Sequence, residues 1–145
     1  MEPIDLRTRP PRSCYLELDG LMLMPRTIDK LRAQLPGGHA GQYFVNGRIK
    51  GISGYLLERL GIGQEELLEA IRTASSENDV ARWLRKRTDA AQYPAINETL
   101  RRIKPRHSED ERYFRNEYAQ TIAEHPELVL IVDIVDADDR RIFPE

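Results

Sequence analysis

"ELVLIVDIVDADDRR", residues 127–141, is the stretch whose reading decides the fold class of this chain. Leu128, Ile131, Val132 and Val135 recur at helical spacing, while the density of β-branched side chains would also suit a buried strand. Following the spacing makes the chain mainly α: a compact multi-helix domain of five to seven helices carrying a small β-hairpin. A strand at 128–135 beside that hairpin would make it α+β instead.

The segments upstream read as helices with recognisable ends. Ser108 and Glu111 form a capping box ahead of Phe114, Tyr118, Thr121 and Ile122, which run down one side of a helix. Pro94 opens another through Ile96, Leu100 and Ile103, and Pro105 stops it. Ser76 and Asp79 resemble a second box, for a helix that turns Val80, Trp83 and Leu84 inward. Tyr55–Leu60 and Gln64–Ala74 precede it, separated by Gly61, which suits the left-handed position after a helix end. The hairpin is expected at "GQYFVNGRIKG", residues 41–51, because Asn46-Gly47 tolerates the positive φ angles of a type I′ turn. In "MPRTIDKLRAQLPGG", residues 24–38, Pro25 starts a helix with Ile28, Leu31 and Leu35 on one side, and Pro36-Gly37-Gly38 ends it. Residues 1–14, with Pro3, Pro10 and Pro11, read as an extended N-terminal arm on or off a single helical domain at 15–145.

A chain of 145 residues, 40% apolar and 32% charged, fits one soluble domain around one core. Its single cysteine, Cys14, leaves no internal disulfide and suits a reducing compartment, so a cytoplasmic protein is expected. Arg7, Arg9 and Arg12 are followed by Glu17 and Asp19 rather than by an apolar run, which speaks against a signal peptide. The longest oily run, Leu128–Val135, is interrupted by Asp133 and falls far short of the ~20 residues of a membrane helix. Charge is uneven: residues 82–106 hold eight basic and two acidic groups, and 107–145 hold four and eleven. At a net charge of −2 these parts are expected to face each other or to be solvated.

The order "DLRTRPPRS", "LMLMPRTIDKLRAQL", "YLLERLGI" and "SENDVARWLRKRT" resembles the bacterial domain-of-unknown-function family numbered 5069 over residues 4–140, with the PRxxDKxRA element the most specific part. The resemblance implies a cytoplasmic bacterial protein and carries no activity with it.

The candidate site lies on the helix that Pro25 starts. At about 100° per residue, Arg26, Asp29 and Lys30 fall within about 100° of one another and opposite Ile28, Leu31 and Leu35. Geometry alone makes the trio a solvent face with i,i+3 pairing, worth about a few tenths of a kcal/mol. The alternative is that another element covers it. Arg26 and Lys30 would then bind a carboxylate or phosphate, Asp29 would hold Arg26, and His39 and Tyr43 would stand nearby.

Other chemistry is weaker. The Gly37–Gly41 run follows a helix and lacks the strand and the Lys-Ser/Thr of a phosphate loop, so no cofactor is expected. His39, His107 and His125 are solitary, so no metal site is expected. The expected function is therefore a non-catalytic cytoplasmic binding or interaction module for an anionic small molecule or a protein partner. One alternative is a small enzyme doing acid–base work on an anionic substrate, marked by a pocket into which Asp29 and His39 both point. The other is weak nucleic-acid binding through the basic helices at 82–106, which carry few interleaved aromatics.

Overall fold

Asp19 and Gly20 both take positive φ, 52° and 82°, the backbone that a two-residue type I′ turn requires. In the computed structural model, which describes residues 1–145, the antiparallel hairpin accordingly joins β1 (Glu17–Leu18) to β2 (Leu21–Met22), with Leu18 opposite Leu21. It does not lie at Asn46-Gly47 as the sequence suggested. There Asn46 makes only a lone bridge with Lys50. Val45 is buried, and its carbonyl accepts the Gly51 N–H at 3.2 Å. The Phe44 ring folds onto Gly47, where a Cβ would stand 2.9 Å from Phe44 Cδ2. Burying Val45 and stacking Phe44 inward curls this segment into a loop instead of a ladder.

Eight helices follow: α1 (Met24–Arg32), α2 (Ile52–Leu60), α3 (Gln64–Thr73), α4 (Glu77–Arg87), α5 (Tyr93–Arg102), α6 (Glu111–Glu117), α7 (Ala119–Glu124) and α8 (Ile131–Ile142). The count exceeds the expected five to seven because the helix expected to run on past Phe114 breaks at Tyr118, whose φ and ψ are −106° and 19°. The chain is mainly α with one small hairpin, and the ambiguous stretch is the helix α8. Two capping expectations are corrected. Asp110, not Ser108, caps α6 by accepting the Tyr113 N–H. Ser76 stands at the start of α4 without a side-chain cap bond, and Asp79 instead accepts the Ser75 N–H.

The core is built around α1, whose residues from Met24 to Leu31 are all buried. One side meets α2 and α3; another is closed by the N-terminal residues. These are laid on the body rather than free: Leu6 N–H donates to the His39 carbonyl at 2.8 Å and His39 N–H to that of Ile4 at 3.1 Å, with Ile4 and Leu6 packed on Ala33. The hairpin is fastened to α5 by Asn97, which accepts the Met22 N–H at 2.9 Å and donates to the Gly20 carbonyl at 2.8 Å. No helix is long and apolar enough to cross a membrane.

Most arginines of the basic segment are paired, but not with the acidic tail. Arg82 pairs with Asp79, Arg85 with Asp19, Arg87 with Glu66, Arg101 with Glu17, and Arg102 with Glu98. These carboxylates come from the hairpin and neighbouring helical turns. Of the acidic residues of α8, Asp139 meets Arg26 of α1, Asp138 meets Thr121 and Arg141, and Asp133 and Asp136 meet Tyr15 and Ser13 near the N-terminus.

Candidate functional site

The solvent-face reading of Arg26, Asp29 and Lys30 does not hold: they are 1%, 6% and 5% exposed. A nine-residue helix at the centre of the fold has no side left for water, so its polar stripe is covered from two directions. The two directions separate the trio. Asp29 faces the N-terminal residues, where its carboxylate accepts the Arg12 backbone N–H at 2.9 Å and the Arg12 guanidinium at 3.0 and 3.1 Å. Arg12 also reaches Glu77, so Asp29 belongs to a clamp that holds the chain's first residues on α1.

Arg26 and Lys30, one turn apart, face a cavity of about 390 Å³ bounded by α1, the 42–52 loop, α2, the segment from Ile103 to Tyr118, and α8. Its walls are largely apolar and aromatic, including Phe44, Ile52, Phe114 and Val135. Gln42, Glu58, His107 and Glu109 are exposed members of the lining and mark its mouth. Such a space suits a small-molecule site, where apolar walls surround a few placed polar groups.

The helical reading of α8 is what brings its acids to this place. Ile131, Val135, Asp138, Asp139 and Ile142 all line the cavity, at i, i+4, i+7, i+8 and i+11, one stripe of a helix. Asp139 Oδ2 accepts from Arg26 Nη1 at 2.6 Å, and Asp139 Oδ1 accepts the Tyr43 hydroxyl at 2.7 Å. The Arg26 guanidinium lies 5.5 Å from the Tyr43 ring centroid, a cation–π distance. Its Nη1 also donates to the Arg12 carbonyl at 3.2 Å. Its Nε is buried without a hydrogen-bond partner. Asp138 is engaged separately, by Thr121 and by Arg141 Nη2 at 3.0 Å.

Lys30 is a buried cation without a carboxylate partner. The one partner of its Nζ is the Ser53 hydroxyl at 3.3 Å, and no carboxylate pairs with it. Thr27 Oγ1 stands 2.9 Å from Ser53 Oγ and donates to the Leu23 carbonyl at 2.9 Å. Thr27 has a single proton, so with that proton on the carbonyl Ser53 is the donor between the two hydroxyls, leaving its lone pairs to Lys30. Burial first, and the positive charge of Arg26 second, pull the Lys30 ammonium from 10.5 down to about 7. Burial likewise pushes the Tyr43 and Tyr118 phenols above the ordinary tyrosine range, so both are neutral, and Tyr43 donates to Asp139.

Of the residues singled out in the sequence, the structure brings together Arg26, Lys30 and Tyr43. Asp29 is in the clamp, and His39 is exposed on the far side of the loop with its Nδ1 accepting the Gly41 N–H at 3.0 Å. Neither lines the cavity. Sequence reasoning missed Asp139 and Ser53. Asp139 was findable: it is eight residues after Ile131 and four after Val135, on the apolar stripe itself, where a charge needs a buried partner. Ser53 carries no such signal.

The family model described as "Domain of unknown function (DUF5069)" matches residues 8–141. No curated protein matches the chain.

Proposed function

This chain belongs to the DUF5069 family, and on that footing we propose that it binds a small organic anion, a carboxylate with an apolar body, in the cavity over α1. The observation that carries this reading is a buried cationic pair with too few anions: Arg26 has an unpartnered Nε, Lys30 has only a hydroxyl, and Asp139 is the one carboxylate that touches either. A desolvated charge of this kind is costly unless a counterion completes it. A ligand carboxylate would supply the missing counterion, and its apolar part would lie against Phe44, Phe114 and the ring of Tyr118.

A protein partner has less to hold: the large apolar side chains left exposed are Tyr15, Leu16 and Val129. Nucleic-acid binding through 82–106 has less still, since most of its arginines are already paired. The reading places the protein in a bacterial cytoplasm, supported by its single buried thiol, Cys14.

Thermal shift with matched pairs tests the proposal. Phenylacetate and phenylpropionate are expected to raise the melting temperature, because a ligand bound only to the native state stabilises it. Their neutral amides, equal in size, are expected to leave it unchanged. Equal shifts with acid and amide, or none with either, would overturn the reading.

A further inference from the structure

Lys30 does more than carry a charge. Lys30 is among the residues that line a cavity opening to solvent, its nitrogen is held by one hydroxyl rather than by a carboxylate, and a guanidinium stands one helical turn away. A structural lysine in a core is normally neutralised by an acid or reaches for water; this one does neither. An amine kept short of counterions beside a second cation is the arrangement that activates a lysine toward carbonyl groups.

We propose that Lys30 is a nucleophile that forms a reversible imine with a small oxo acid, an α-oxo carboxylate with an apolar or aromatic side chain, while Arg26 holds the carboxylate. The proposal rests on the anion-binding reading above and names the chemistry of the same site. The neutral Lys30 amine adds to the carbonyl carbon, forming the C–N bond, and the C=O π pair moves to oxygen, which takes a proton. Nitrogen gives up one proton as the carbinolamine forms. The C–O bond then breaks, oxygen leaves as water with a second proton, and the nitrogen lone pair closes the C=N bond. The balance is amine plus carbonyl plus one proton giving a protonated imine and water, with no oxidant or reductant. The proton enters from solvent through the mouth marked by Glu58, His107 and Glu109.

Two features fit this chemistry better than simple ion binding. At neutral pH about half of Lys30 is the free amine, since its ammonium titrates at about 7; an anion site alone would be better served by a lysine charged throughout. Ser53 is the only polar atom on the nitrogen, and its hydroxyl orients the amine without sequestering it as a carboxylate would. The iminium, once formed, carries the positive charge that Asp139 and the bound carboxylate together favour.

Hydride trapping gives the test. The full chain is incubated at pH 7 with phenylpyruvate and sodium cyanoborohydride, which reduces an imine to a stable secondary amine, and is then mapped by peptide mass spectrometry. Lys50, Lys86 and Lys104 are the internal references. A lysine titrating near 7 has roughly a thousandfold greater free-amine fraction at pH 7 than an ordinary one. Labelling of Lys30 is therefore expected to exceed that of each reference by more than about tenfold after allowance for its lower basicity. The preference is expected to vanish in urea, and phenyllactate, which has the carboxylate but no carbonyl, is expected to slow labelling in proportion to its occupancy. Lys30→Arg should lose the fast adduct while labelling of Lys50, Lys86 and Lys104 stays as in the wild type. Phenyllactate raising the melting temperature with Lys30 labelled no faster than the references would overturn the imine and leave anion binding standing. No thermal shift from either acid and no preferential labelling would overturn both.

Discussion

Replacing Lys30 with methionine should remove a pH dependence of stability that the wild type shows across neutrality. In the folded state the ammonium titrates at about 7 against an ordinary 10.5. Between those values the unfolded chain holds one more proton than the folded one. The free energy of unfolding therefore rises with pH there, by about 1.4 kcal/mol per pH unit. Below pH 7 both states are protonated and the penalty for burying the charge is fully present, on the order of 5 kcal/mol. Above 10.5 both are neutral and it is gone. From pH 6 to pH 9 the wild type should gain about 2–3 kcal/mol from this group alone, most of it above pH 7. Methionine fills a similar length and carries no proton, so the variant should lack the rise and be the more stable protein at pH 6. Cys14 acts in the opposite direction: burial raises its thiol to about 12, so the unfolded state loses its proton first and stability falls as pH climbs past the ordinary thiol range. That contribution is common to both proteins and cancels in their difference. Urea unfolding followed through Trp83, the single tryptophan, measures the difference if the m values agree. Parallel stability curves from pH 6 to pH 9, within about 0.5 kcal/mol, would refute the claim that Lys30 is desolvated and without a counterion.

Three further outcomes follow from contacts already described. Asp139→Asn removes the carboxylate from a pair whose side chains are 2% and 10% exposed, so urea unfolding should show a loss of about 3–5 kcal/mol; a loss below about 1 kcal/mol would mean that Arg26 is solvated. Gly54→Ala ought to gain about 1 kcal/mol by helix propensity, yet its Cβ would stand 2.8 Å from the Val45 carbonyl oxygen and closer still to Asn46 Oδ1. It should instead lose about 1–3 kcal/mol as the 42–52 loop is pushed off α2, and a higher melting temperature would refute that packing. Cys14 is buried with its thiol pushed up, so iodoacetamide at pH 8 should leave it unmodified until urea is added, and native-state alkylation at the rate of a free thiol would place it at the surface.

What the sequence revealed, and what it hid, follows from the range over which each signal acts. The helix starts at Pro25 and Gln64 and the left-handed Gly61 depend on a few neighbouring residues, and they appear in place. The hairpin was misplaced although its signal was equally local: Asp19-Gly20 and Asn46-Gly47 are the same kind of turn-favouring pair, and what distinguishes them is how the flanks of the second pack, with Val45 buried and the Phe44 ring folded against Gly47. Burial of a segment's flanks is a tertiary fact, and no local propensity reports it. The site was hidden for the same reason. A helical wheel sets Arg26, Asp29 and Lys30 on one side, but it cannot show that one element covers Asp29 while others cover Arg26 and Lys30.

Asp139 makes the point from the opposite end of the chain. Read alone, "DADD" is a wet acidic run. Placed on the stripe of α8 it becomes the only carboxylate that reaches Arg26 within the fold. Its two oxygens are spent on Arg26 and Tyr43, which leaves Lys30 outside the pair. The protein thus neutralises one of its two buried cations and withholds neutralisation from the other, at a cost on the order of 5 kcal/mol below pH 7. A fold selected for stability alone would place Met or Leu at position 30, since uncharged residues of that size pack there without the penalty. Retaining the amine at a cavity-lining position fits the proposed use of that nitrogen, and the Lys30→Met stability difference measures how much folding energy that retention costs.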